Sequence, residues 1–389
     1  MEAFISEYYS DCEILTPNDG AHYFFAYYDM RATGAHGRHL CHRVQFWDRL
    51  PTAEDVCEVG YLENGSFYPF GETTAWNFQQ GAMLQYHPTK KDTVYYNVCR
   101  NSKFVTVTHN FVTGERSYTD RAVACVSPDG RYGIAVNFGR IYDFRPGYGY
   151  AGFEDANASV NAPSDDGVFL VDMETGKSRL LCSYQALAPV SGFDAVTAKL
   201  LVNHVTFNTT SDRYVMLLRN FRTEEAPWWL TSMMIGDLNG NVKTVLPTTY
   251  VSHYYWTGAD RILAHCTVEG DKKGMYEVNV DTGAWTEYDM PYFYGDYNTD
   301  IHCSLSPDRS VIVGDGYPIE GYRYLMAYSL RTGESRELFR VRTETPNDLT
   351  DVRCDLHARF VWGGSHVSFD TVHRGRREVA LIPLQGLDF

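Results

Sequence analysis

Nothing in the chain is long and apolar enough to read as a membrane span, since no run reaches the ~18 apolar residues that one requires. Paired cysteines are missing as well. The nine cysteines are scattered singly, odd in number and without a C-x-x-C pair, which speaks against a disulfide framework and fits reduced thiols in a cytoplasm. The stretch Met1 to Glu7 has neither a basic nor an apolar leader segment, so a cytoplasmic location is expected, or a periplasmic one if a leader has been removed. Positive charge is scarce: 34 Lys and Arg stand against 49 Asp and Glu, a net charge of −15 that leaves no general basic face for nucleic acid. No membrane or nucleic-acid partner is expected, and oligomeric state is not readable.

What is abundant is aromatic: 15% of the residues, 29 of them Tyr, a composition that favours strands over helices. Turn signals then repeat. Ser127-Pro128-Asp129-Gly130 and Ser306-Pro307-Asp308 mark one kind of reversal, with related versions at His87-Pro88, Ser211-Asp212, Thr257-Gly258 and Trp362-Gly363. Thr-Gly pairs at Thr113-Gly114, Thr175-Gly176, Thr282-Gly283 and Thr332-Gly333, with Asn239-Gly240 in the same role, mark a second. Strand, Ser-Pro-Asp turn, strand, loop, strand, Thr-Gly turn, strand is the order of a propeller blade. The expectation is an all-β chain, one seven-bladed β-propeller over 1–389 with four-stranded antiparallel blades around a central channel. The blades fall near 21–72, 75–121, 122–184, 202–248, 249–289, 300–340 and 354–384. Residues around Glu13-Ile14 are expected to pair with the last blade and close the ring. Two insertions interrupt the rhythm: an aromatic one between Asn137 and Asp166, and an Ala-rich one from Cys182 to Lys199 that reads as a short helix.

Against this frame four histidines recur. His204, His253, His302 and His357 lie 49, 49 and 55 residues apart, each near the start of the first strand of its blade, the strand that lines the channel. Converging neutral imidazoles suit a divalent transition metal, and Asp355, on the same strand face as His357, adds a carboxylate. His22, His36, His39 and His42, between Ala21 and Arg43, read as a solvated loop. For an anionic ligand the candidate cations are Arg140 and Arg145 in the aromatic insertion, Arg219 and Arg222 after a strand of the fourth blade, and Arg353. Trp76, Asn77 and Gln80 open the second blade with groups suited to sugar hydroxyls. Tyr148 and Tyr150 are candidates for a leaving-group acid or for stacking on a sugar ring.

The segments Asp300-Ile301-His302-Cys303-Ser304-Leu305-Ser306-Pro307-Asp308, Val313-Gly314-Asp315-Gly316 and Cys354-Asp355-Leu356-His357-Ala358-Arg359-Phe360, with Ser252-His253-Tyr254-Tyr255-Trp256 and Asn203-His204-Val205 before them, carry a resemblance. Over roughly 200–384 the chain resembles the oligogalacturonate lyases, cytoplasmic seven-bladed propellers that cleave uronate oligosaccharides with bound manganese. The resemblance implies a carbon-oxygen lyase, an acidic oligosaccharide substrate, a divalent metal (manganese foremost, zinc or calcium as alternatives), His253 and His357 as ligands, and His204 as catalytic base. His302 is then a third ligand or a substrate contact. The sequence departs from the family pattern where Asp355 replaces a histidine and Val352 a glutamine. No residue matches the family's catalytic arginine, so Arg140, Arg145 and Arg219 all stand for it. Two other readings stay open: a glycoside hydrolase, for which Asp29, Asp315 and Asp355 supply carboxylates, and a non-catalytic interaction platform.

Overall fold

The computed structural model describes residues 12–34, 36–224, 228–290, 300–342 and 350–384; the leader-segment expectation for the first residues lies outside these. Seven four-stranded antiparallel sheets follow one another along the chain, at 22–73, 85–118, 123–183, 200–249, 251–288, 301–342 and 359–383. This is a seven-bladed β-propeller. Among the described residues no helix is long and apolar enough to cross a membrane. All nine cysteines are free thiols, and only Cys99 is exposed.

The two repeated turns explain the regularity. In the Ser-Pro-Asp reversal the serine hydroxyl donates to the aspartate, at 2.6 Å from Ser127 to Asp129 and from Ser306 to Asp308. The same oxygen then accepts the amide that opens the next strand, from Tyr132 at 3.0 Å and Val311 at 2.9 Å. In the Thr-Gly turn a side chain three residues before the threonine accepts its amide, as Asn110 does for Thr113, Asp172 for Thr175 and Asn279 for Thr282. Glycine follows because the chain must cross into the left-handed region: at Gly176 φ is 71°, and a Cβ there would sit 2.4 Å from the Tyr118 carbonyl oxygen.

The seventh sheet is completed from the other end of the sequence. Strand Glu13–Ile14 pairs antiparallel with strand Glu378–Pro383, and the Leu15 amide donates to the Val379 carbonyl at 2.9 Å. A chain starting at Thr16 should lose about 1–3 kcal/mol through these missing bonds and gain self-association through the uncovered strand edge. Urea unfolding and light scattering measure both; unchanged values in the two would refute this role for the strand.

Contacts divide the chain into two compact units. The first comprises 1–86, 253–255 and 288–389; the second comprises 87–252 and 256–287. In the first, Val313, Leu325, Phe339, Leu356, Val367, Phe369 and Ile382 form an apolar core. Here the segment read as a solvated loop is corrected: His39 and His42 lie buried in strand His39–Val44. The His39 ring bridges the Leu40 carbonyl and the Ser368 hydroxyl, and the His42 Nε2 accepts the Ala82 amide at 3.0 Å. In the second unit the two insertions fold as helices Phe138–Phe144 and Tyr184–Ser191, capped by Asn137 and Ser183.

Candidate functional site

Strands Val251–Trp256 and Ile301–Leu305 and the segment before strand Arg359–Val361 bring His253, His302 and His357 together in the first unit. All three are buried. The His302 ring lies 4.0 Å from that of His253 and 4.6 Å from that of His357, centroid to centroid, under the rings of Tyr27 and Tyr28. His302, His357 and Asp355 present ligand atoms within 4.8 Å of one another.

Each outer imidazole is anchored by one nitrogen. The His253 Nδ1 sits 2.7 Å from a carboxylate oxygen of Asp300, and the His357 Nδ1 donates to the Ala26 carbonyl at 2.9 Å. Such partners fix the tautomer that leaves a lone pair on Nε2. His357 Nε2 and both nitrogens of His302 have no hydrogen-bond partner among the described residues, the nearest contact of His302 Nδ1 being Asp315 Oδ2 at 3.5 Å. Burial and the neighbouring His302 hold the His357 imidazole well below its ordinary range, so it is neutral.

The anchor of His357 is itself built. Asp370 accepts the amides of Phe25 and Ala26 at 3.1 and 3.2 Å and a guanidinium bond from Arg359 at 2.6 Å. Arg359 in turn donates to the His357 carbonyl at 2.8 Å. This buried set holds two unusual backbones, Ala26 at φ 121° and His357 at φ 45°, both strained for residues with a Cβ. His204 has the same left-handed backbone, φ 49°, at a register shift between Asn203 and Val205 in strand Leu200–Phe207. A bulge of this kind re-aims a side chain.

Asp355 is enclosed by cations. Arg353 approaches it through Nε at 3.0 Å and Nη2 at 2.8 Å, and Arg323 through Nη2 at 2.7 Å. Burial pushes its carboxyl up, but the two guanidiniums outweigh that and hold it well below the usual range, so it is ionised. Asp315 accepts the Leu356 amide at 2.9 Å and fixes the backbone between Asp355 and His357. Val352 is buried and offers only its carbonyl, to Trp47.

In the second unit the Tyr148 ring stands edge-on to His204 at 5.5 Å, and the Arg145 guanidinium lies over Tyr148 at 4.6 Å. Several expected site residues do other work. Arg140 is fully buried: it pairs with Asp155 at 2.6 Å and donates to the carbonyls of Leu200, Asn157, Val160 and Asn161, so its donors are spent on folding the insertion. Tyr150 stacks on Phe138 at 4.2 Å and accepts from Asn97, inside the core. Trp76 is buried, with Nε1 donating to the Asp55 carbonyl. Asn77 caps a turn by accepting the amides of Gln79 and Gln80, which leaves Gln80 buried there. It is Gln79 that reaches the metal-candidate segment, donating to the Arg353 carbonyl at 3.0 Å. Arg219 is buried and donates to Thr231 and to the Val251 carbonyl. Arg353 is a partner of Asp355 rather than an open cation. Asp300, Arg323 and Asp370 were not singled out in the sequence; Asp300, two residues before His302, is the one whose spacing carried a signal.

No family model and no curated protein matches the sequence. Solved structures do. Oligogalacturonate lyase from Vibrio parahaemolyticus superposes with a TM-score of 0.66 at 14% identity, covering 99% of this chain and 96% of that one. The chain has the oligogalacturonate lyase fold. An oligogalacturonate lyase in complex with manganese gives 0.66 at 12% identity over 97% of this chain and 96% of that one. A puromycin-hydrolysing peptidase from Mycobacterium tuberculosis gives 0.56 at 11% identity, covering 98% of this chain and 56% of that one. Identities this low establish fold and not activity.

Proposed function

We propose that the protein is a carbon-oxygen lyase that cleaves uronate-containing oligosaccharides by β-elimination with a divalent metal. The observation that carries the reading is the buried meeting of His253, His302 and His357 beside the ionised Asp355, with two of the imidazoles oriented through Nδ1. Orphaned, neutral imidazole nitrogens fit a transition metal, and a set with three nitrogens favours manganese or zinc over calcium, which prefers oxygen. His253, His302, His357 and Asp355 would hold it. When bound, such an ion supplies charge that neutralises a substrate carboxylate.

The chain's own groups then carry the proton traffic. His204 takes the proton from C5 of the uronate, the electron pair left behind forms the C4–C5 double bond, and the C4–O bond breaks. Tyr148, beside His204, delivers a proton to the departing oxygen. The reacting proton is weakly acidic, so a base that titrates near neutrality and fixed charge at the carboxylate are both needed. Free thiols at all nine cysteines support a reducing compartment such as the cytoplasm.

Elemental analysis of the purified chain should find a divalent transition metal that is lost from the His253→Ala, His357→Ala double variant. Oligogalacturonate should yield an unsaturated, ultraviolet-absorbing product, and His204→Ala should slow that by about 10²–10⁴-fold. Full turnover in His204→Ala, or saturated products only, would sink the lyase reading; a hydrolase gives the latter. Asp29, whose carboxyl burial pushes up to about 7, would be the acid to test in that case.

A further inference from the structure

The second unit contains a concentration of positive charge that an acidic chain of net charge −15 does not otherwise lead one to expect. Three guanidiniums gather on one indole. Arg222 lies 4.8 Å from the Trp229 ring centroid, Arg145 5.8 Å and Arg219 6.0 Å. They come from three places: Arg145 ends the helix Phe138–Phe144, Arg219 belongs to strand Arg213–Asn220, and Arg222 follows that strand. Phe144 closes the back of the indole, its ring 5.6 Å from Trp229 and 5.1 Å from Phe221. Next to Trp229, Trp228 is 80% exposed, a large apolar side chain left in water beside the cations.

These features call for one kind of ligand. Guanidiniums prefer a carboxylate held through two parallel bonds. An exposed indole offers a flat apolar face with a polar edge, to which the C–H face of a pyranose is complementary. Arg219 is buried and tied to carbonyls, so it contributes fixed charge, whereas the half-buried Arg145 and the exposed Arg222 are placed to meet an anion. Arg145 also lies over Tyr148, whose ring edge faces His204, so the cradle adjoins the candidate base. We propose that Arg145, Arg222, Trp228 and Trp229 form a binding subsite for a carboxylated pyranose. The inference rests on the uronate-lyase reading and names the residues that recognise its substrate.

The test is a fluorescence and calorimetric titration of the full chain carrying His204→Ala, which suppresses turnover, with trigalacturonate, a neutral galactose trisaccharide and inorganic phosphate as probes. Trigalacturonate alone should bind well and change tryptophan emission. Adding Arg222→Gln or Trp228→Ala should weaken it by about tenfold or more, and only the arginine change should flatten the salt dependence. Both side chains are exposed, so circular dichroism should stay unchanged. Equal affinity for the neutral sugar or for phosphate, undiminished binding in the variants, or no binding of trigalacturonate each overturns the subsite. Binding that behaves as expected in a chain whose parent makes no unsaturated product overturns the lyase reading and leaves the subsite standing.

Discussion

Replacing Asp355 with alanine is expected to destabilise the protein by about 3–5 kcal/mol, because removal of one member of a buried ion pair strands the other. Here two cations are stranded. Arg323 and Arg353 are both buried and lie within 3.0 Å of the carboxylate. Arg323 retains the Gly316 carbonyl at 2.6 Å, a dipole that cannot replace a full charge. Urea unfolding at neutral pH reads the loss as a lower midpoint at constant m-value. A change below about 1 kcal/mol would mean that the guanidiniums relax to water, and that the carboxylate is not their compensating charge. A second variant separates charge compensation from metal binding. Arg353→Met with Asp355→Leu should recover part of the stability, since coupled neighbours are non-additive, while the metal stays weakened. Recovery of both would remove Asp355 from the ligand set.

The fate of Asp355 shows what a one-dimensional reading reaches. The recurring histidines were legible because the repeat fixes their phase on the first strand of successive sheets, and three of the four do meet. What surrounds them was not, because the partners come from distant stretches. Arg323 lies on strand Tyr322–Ser329, and Asp370, on strand His366–Thr371, reaches back to the amides of Phe25 and Ala26. Left-handed backbone at His204 and His357 leaves no trace in residue type, since histidine is tolerated there without glycine's signature. The misreadings have the same root. An arginine such as Arg140, with every donor spent on a carboxylate and four carbonyls, looks in sequence like an arginine awaiting a substrate, and an aromatic-rich insertion looks the same whether its rings face a ligand or, as with Tyr150 and Phe138, each other. His39 and His42 were taken for a loop because the residues just before them break the strand pattern; burial then made them core.

Those two core histidines should dominate the response to mild acid. Burial, with Arg359 nearby, lowers the His39 imidazole to about 3; burial, opposed by backbone bonds and aided by Arg377, lowers His42 to about 4. In the unfolded chain both titrate near ~6.5. Above that value neither state holds the proton and the stabilisation is whole. As pH falls below it the unfolded chain takes up protons that the folded chain refuses, so stability drops until the folded values are reached. Two groups set a slope of roughly 2.7 kcal/mol per pH unit between about pH 6 and 5, a window above that in which ordinary carboxylates titrate. The buried His357 adds in the same direction. Urea unfolding at stepped pH should show this slope, and His42→Phe should make it shallower by about one proton. At pH 7 that variant should be less stable by about 1–3 kcal/mol, since the Ala82 amide loses its acceptor. The two pH profiles should therefore converge on acidification. A wild-type profile that is flat from pH 6.5 to 5 would require these imidazoles to be protonated inside the fold, which the apolar stacking of His42 on Phe24 at 4.8 Å opposes.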